Sequence, residues 1–325
     1  VRTYGKLARF IYLVILRIFG DKIVEVQINN GMTSRNDGEM MELIVTVARN
    51  NSRIRAVIQD GSRSNPSVSR DIFQDFDIIY VVKDLRPFTK DHRWVDVFGE
   101  RMIMQMPEAM ELYPPDESMK GGFSYLLQFM DGNRIDLTLV PVKHSKRFTE
   151  DSLCKLLLDK DGLFEATPLP PASERDYLVK APTARSFTDC CNEFWYTNSG
   201  LAKGLWRKEM VLVKELYHKV IHEALMQMID WYIESRHGAV NVGKFGKYYD
   251  RYLEPEIYEQ FLATYASADW EENWRCVYAT IDLFRNVASL VADKYGYEYP
   301  IEEDTHVTAF LRHVEQLPAG ATRIY

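Results

Sequence analysis

The sequence predicts an α/β domain built on a mixed sheet, followed by an all-helical C-terminal domain. Two observations carry this expectation. Short apolar runs of strand character, separated by turn residues, lie between residues 54 and 142, and beyond about residue 150 the apolar positions recur at steps of three and four. The expected organisation is an extension at residues 1–31, a sheet domain at 32–150 and a helical domain at 151–325. With 325 residues and 46% hydrophobic content, the chain can bury a large core, which excludes a disordered protein.

Taken in order, Ser34-Arg35-Asn36-Asp37 reads as a capping box, and Met40, Met41, Ile44, Val47 and Ala48 follow with helical spacing. Ile54 to Ile58 reads as a strand, broken by Asp60-Gly61-Ser62-Arg63 and a polar loop from Ser64 to Gln74. Phe76 to Val82 is apolar on both faces, as in the middle of a covered sheet. Pro87 to Gly99 reads as helical, and Met102 to Met106 and Phe123 to Met130 as extended. Asp131-Gly132-Asn133 then turns the chain into a strand from Arg134 to Val142. Helical segments are expected near 151–159, 186–204, 207–235, 255–266, 269–294 and 302–315. Pro168, Pro170, Pro171 and Pro182 mark a connector into a second capping box, Ser186-Phe187-Thr188-Asp189.

The formal net charge of −7 and a pI near 5.6 argue against general affinity for nucleic acid, whose phosphates need a basic surface. Residues 1–31 are the exception, since Arg2, Lys6, Arg9, Arg17 and Lys22 outnumber Asp21 and Glu25. Their apolar run from Phe10 to Phe19 is interrupted by Arg17 and is shorter than the roughly 20 residues that span a bilayer. No stable membrane association is expected. Cys154, Cys190, Cys191 and Cys276 show no metal or disulfide spacing, which suits a reducing, cytoplasmic setting.

Chemistry concentrates in the sheet domain. Asp75 and Asp77 are two apart at the head of a strand, so both carboxylates project from one face. At about 4 Å such a pair repels by roughly 4 kcal/mol at an effective dielectric of 20, a cost that a divalent cation removes. Asp136, in Ile135-Asp136-Leu137-Thr138-Leu139, lies on the polar face of another strand and could bring a third carboxylate. Hard oxygen donors of this kind select Mg²⁺. Gly61-Ser62, ending a strand, can point backbone N–H groups and a hydroxyl at a phosphate.

The order of these features, together with the runs Arg53 to Ile58, Gly61-Ser62-Arg63, Phe73 to Ile78, Phe129 to Leu139 and Asp189 to Trp195, resembles the aminoglycoside 6-adenylyltransferases (streptomycin adenylyltransferases) of the nucleotidyltransferase superfamily. The resemblance covers roughly residues 32 to 315. It implies a nucleotidyltransferase domain followed by a helical substrate-binding domain. The implied enzyme transfers AMP from ATP to a streptomycin hydroxyl, the 6-position, with release of pyrophosphate and resistance to the drug. By the same resemblance Asp75 and Asp77 hold Mg²⁺, Gly61 and Ser62 hold the triphosphate, and Asp136 is either a third ligand or the base. Arg63, Lys203, Lys244 and Lys247 are candidate phosphate cations.

Streptomycin carries guanidinium groups, for which carboxylates and aromatic faces are the matching chemistry. On one helix, Asp189, Glu193 and Tyr196 recur at steps of three or four, with Asn192 and Trp195 beside them. A transferase acting on another antibiotic hydroxyl and a non-catalytic binding protein on the same scaffold remain as alternatives. His218 and His222 have zinc-compatible spacing, but Lys219 stands where a metalloprotease needs Glu, so surface histidines are expected. The chain has no Gly-x-Ser-x-Gly elbow, no Walker-type loop and no dinucleotide-binding glycine pattern.

Overall fold

The computed structural model describes residues 33–112, 117–119 and 121–325. The expected extension at residues 1–31, together with its boundary, therefore lies outside the described residues. The chain divides into two compact units between Ala172 and Ser173.

The first unit is built on a six-stranded mixed sheet: β1 (Ile54–Gln59), β2 (Phe76–Val82), β3 (Arg101–Gln105), β4 (Phe123–Phe129), β5 (Arg134–Pro141) and β6 (Lys155–Asp159). The spatial order is β3-β4-β5-β2-β1-β6. Neighbours run antiparallel except β2 and β5, which are parallel and pair Asp77 with Asp136. Strand alternation sorts the side chains. Phe76, Ile78, Tyr80, Ile135, Leu137 and Leu139 face one core, while Ile79, Val81 and Val140 face another with Cys154 and Phe164.

Helix α1 (Asp37–Asn50) covers the first face through Met40, Ile44 and Ala48, spaced four apart so that they form one stripe. Tyr80 donates its buried hydroxyl hydrogen to the Ile44 carbonyl at 2.6 Å. The last carbonyls of α1 are met by Lys160, whose Nζ donates to Ala48, Asn51 and Arg49. The capping box falls at Asn36 and Glu39 rather than Ser34 and Asp37, because Asn36 reaches the Glu39 N–H at 3.0 Å and Glu39 returns to the Asn36 N–H at 2.7 Å. Residues 87–99 form the short α2 (Arg86–Thr89) and a 3₁₀ segment, His92–Phe98, not one helix.

Two expectations need correction here. Residues 151–159 are not helical, since β6 pairs antiparallel with β1 and closes one edge of the sheet. The unit boundary accordingly falls at 172 and not at 150. A run such as Leu156-Leu157-Leu158 fits either structure by periodicity, and the exposed edge of β1 decides it.

The second unit is helical: α3 (Ala184–Trp206), α4 (Met210–Leu216), α5 (His222–His237), α6 (Tyr249–Tyr252), α7 (Pro255–Leu262), α8 (Trp270–Tyr295) and α9 (Ile301–Gln316). A π turn at Tyr217–Ile221 joins α4 to α5 without a break. Thr183 and Ser186 form the capping box of α3, three residues before the expected Ser186 and Asp189. The core of this unit is aromatic: Phe194 stacks on Phe284 at 3.7 Å between centroids, with Trp195 edge-on to both. No helix among the described residues is long and apolar enough to cross a membrane.

Candidate active site

The same alternation that sends Ile79 and Val81 into the apolar cluster puts Asp77 on that face of β2, at the end where the apolar cover stops. Parallel pairing sets Asp136 of β5 directly beside it, and Asp75 lies just before β2. All three carboxylates are half-buried. Burial, reinforced by the charges of Asp136, Asp60 and Asp75, pushes Asp77 up to about 7. Asp75 is also raised, chiefly by burial.

Gly61 is required by its neighbours. Its φ of +67° is left-handed, and a Cβ at this position would overlap the Asp77 carboxylate. Its N–H donates to the Asp60 carboxylate at 2.6 Å, and the Asp60 N–H donates to the Asp77 carbonyl at 2.9 Å. The turn is thereby fastened to the strand that bears the site. Ser62 is half-buried, and its hydroxyl makes no hydrogen bond among the described residues, so it is free to donate to a phosphate oxygen.

Arg63 does something other than expected. Its guanidinium is buried, donates to the carbonyls of Asp75 at 2.9 Å and Gln74 at 2.8 Å and to the Asp37 carboxylate, and lies 3.8 Å from the Phe76 ring centroid. Every nitrogen is engaged in holding the 64–75 loop against α1 and β2. Arg63 is a clamp for Asp75, and its assignment as a phosphate cation is corrected.

Two residues of the site escaped the sequence reading. Asp60 is a fourth carboxylate at the end of β1, and burial raises it as well. Arg134 shares a face of β5 with Asp136 and grips both of its oxygens, Nε to Oδ1 and Nη2 to Oδ2, each at 2.8 Å, while Nε lies 3.6 Å from Asp75. The i, i+2 rule that joins Asp75 to Asp77 would have found Arg134 beside Asp136. Asp131, by contrast, serves the fold, since it accepts from the Arg35 Nε at 2.6 Å and from the Asn133 amide nitrogen at 3.1 Å, fixing the turn to the start of α1.

The donor set fits a hard divalent cation in kind: acidic oxygens gathered against mutual repulsion, with the Arg134 guanidinium paired to Asp136 and near Asp75. Among the described residues, however, no three acidic, histidine or cysteine side chains are gathered as a ready metal cage.

In the second unit, Asp189, Asn192, Glu193 and Tyr196 are exposed along one side of α3, and Tyr196 is 75% exposed. Asp189 has an Arg185 guanidinium 3.6 Å away. Trp195 is not with them. It is 1% exposed within the aromatic core, so its role as a substrate wall is corrected to packing. Lys244 and Lys247 are exposed on a loop, each beside a neighbouring ring. Lys203 borders a 360 Å³ cleft with Trp206, Arg207 and Arg323. Nor are the two helix histidines both on the surface: His222 is buried, with Nε2 3.2 Å from the Thr264 hydroxyl, and burial pushes it down to about 4.

Residues 34–314 match the family model described as streptomycin adenylyltransferase. The chain is 37% identical over 279 residues to the aminoglycoside 6-adenylyltransferase of Bacillus subtilis (strain 168), covering 85% of this chain and 96% of that protein. It is 40% identical over 272 residues to the aminoglycoside 6-adenylyltransferase of Campylobacter jejuni, covering 83% and 93%. A crystal structure of an aminoglycoside 6-adenyltransferase from Bacillus subtilis is similar at 34% identity, covering 87% of this chain and all of that one, with a TM-score of 0.43. With Asp77 and Asp136 in register beside the Gly61-Ser62 turn and a match across nearly all described residues, the chain belongs to the streptomycin adenylyltransferase family of nucleotidyltransferase enzymes.

Proposed function

We propose that this enzyme transfers AMP from ATP to the 6-hydroxyl of streptomycin, releases pyrophosphate and so confers resistance to the drug. The observation that carries the reading is the pairing of Asp77 with Asp136 on parallel strands, at the turn that only glycine can make. The acceptor oxygen forms a bond to the α-phosphorus as the bond to the β-phosphate oxygen breaks. The hydroxyl proton passes to a base and pyrophosphate leaves.

Asp75 and Asp77 would hold the divalent cation, Mg²⁺ by the hardness of the donors. When bound, it supplies charge stabilisation for the entering and leaving oxygens. Asp60 positions Gly61, Arg63 positions Asp75, and the Ser62 hydroxyl donates to a phosphate oxygen. Lys203, Lys244 and Lys247 are the exposed cations proposed for the triphosphate. Asp136 acts as third ligand or as base. Asp189, Asn192, Glu193 and Tyr196 are proposed to receive the guanidinium-bearing acceptor, as carboxylates and an aromatic face suit that cation. The cytoplasm, which supplies ATP, is the proposed compartment.

Mass spectrometry of streptomycin incubated with enzyme, ATP and Mg²⁺ tests the reading. A gain of one AMP is expected. An unmodified drug, alongside adenylylation of a different antibiotic, would move the chain to another acceptor.

A further inference from the structure

We propose that Arg134 is an exchangeable counter-ion, which competes with the divalent cation for Asp136 and, once displaced, offers its guanidinium to the phosphates of the nucleotide. The inference rests on the metal-site reading of Asp75 and Asp77 and goes beyond it.

The geometry states the conflict. Both oxygens of Asp136 accept from the Arg134 fork at 2.8 Å, and the same guanidinium lies 3.6 Å from Asp75. A carboxylate engaged on both oxygens by a guanidinium is poorly placed to ligate a cation or accept a substrate proton, and the guanidinium itself repels a cation nearby. Asp136 therefore becomes available only as Arg134 lets go.

Arg134 is built to let go. Its side chain is 40% exposed at the start of β5, and its ion pairs are with Asp136 and Asp75 alone among the described residues. Arg63 offers the contrast, since its side chain is 2% exposed and anchored to two backbone carbonyls. A released guanidinium finds in a polyphosphate the same forked, anionic acceptor that it left. The exchange offsets part of the carboxylate charge before nucleotide arrives and delivers a cation to the phosphates when it does.

Calorimetric titration of Mn²⁺ into nucleotide-free enzyme separates the possibilities. Arg134→Gln is expected to bind Mn²⁺ about tenfold more tightly or better, because the competitor is gone, while its KM for ATP rises about tenfold. Arg134→Lys keeps the charge but not the fork, and is expected to bind Mn²⁺ at least about threefold more tightly than the parent. Parent-like Mn²⁺ affinity in Arg134→Gln would overturn the proposal, and parent-like affinity in Arg134→Lys would replace exchange with simple charge repulsion. Asp77→Asn is the control for the underlying reading: if it leaves the parent's Mn²⁺ affinity unchanged, the metal assignment falls, and the exchange with it. A purely structural Arg134 would lower thermal stability without tightening the metal.

Discussion

At the open end of the sheet, Asp77 and Asp136 are neighbours because β2 and β5 run parallel with these residues in register, whereas on α3 Asp189, Asn192, Glu193 and Tyr196 share only a helix face. The first arrangement is fixed by backbone hydrogen bonds and by the Gly61 turn pressed against it. The second is fixed by what the opposite side of the helix buries, namely Phe187, Cys191, Phe194 and Trp195. A sheet thus dictates which functional groups touch, and a helix dictates only which ones are left facing outward. The proposed catalytic carboxylates therefore stand in the more tightly fixed arrangement, and the proposed acceptor-binding side chains in the looser one.

The largest effect expected from breaking the sheet arrangement is on turnover. Asp77→Asn should cost about 10³-fold or more in kcat, the scale of losing several kcal/mol of charge stabilisation. Asp136→Asn should be comparably severe. Retained affinity for Mg²⁺ and ATP in that variant would favour the base role, and lost affinity the ligand role, which a binding titration alongside kcat decides.

Gly61→Ala should follow, with activity falling about 10²-fold and stability by about 1–2 kcal/mol, read by kinetics and thermal melting. The alanine must hold a left-handed φ and displace the Asp77 carboxylate at once.

On α3 the expected effect is smaller and selective. Glu193→Gln should raise the KM for streptomycin about tenfold to a hundredfold and leave that for ATP unchanged, with a weaker effect on a less cationic acceptor. A change under about twofold would mark Glu193 as a solvated surface acid.

The burial of Asp77, reinforced by the acids around it, also predicts a pH dependence of stability. Its folded-state value of about 7 lies above the ordinary 3.8, so the folded protein binds more protons than the unfolded chain between these values. Stability without added cation should therefore decline as pH rises from about 4 to 7 and level off above. Asp77→Asn should remove most of that decline, on the order of 4 kcal/mol, and melt several degrees higher than the parent at pH 8. A parent whose melting temperature rises with pH across that window would contradict the charge assignment. The smallest effect concerns the N-terminus: removal of residues 1–31 is expected to leave adenylylation intact, measured by the same kinetics.

Much of the sheet was legible because a period of two fixes both the strands and their faces, which is how Asp75, Asp77 and Asp136 could be assigned to one site. β6 was not, because Leu156-Leu157-Leu158 carries no periodicity and becomes a strand only by pairing with β1. The two capping boxes were displaced by two or three residues, since overlapping Ser, Thr and Asn positions offer competing caps and the final choice depends on how each helix docks. Trp195 and Arg63 show a different limit. Residue type suggests a ligand for each, but partners distant in sequence decide: Phe284 encloses Trp195, and Asp37 helps to bind Arg63. Arg134 was within reach of the alternation rule, and attention to the acids alone passed over the base that pairs with them.

The measurement that bears most directly on the transfer site is pyrophosphate release from ATP and Mg²⁺ in the presence of streptomycin, by the parent and by Asp77→Asn, with folding of both verified by circular dichroism. Streptomycin-dependent release by the parent, lost in the folded variant, is the predicted result. Equal release by the two proteins would contradict a transfer site built on Asp77.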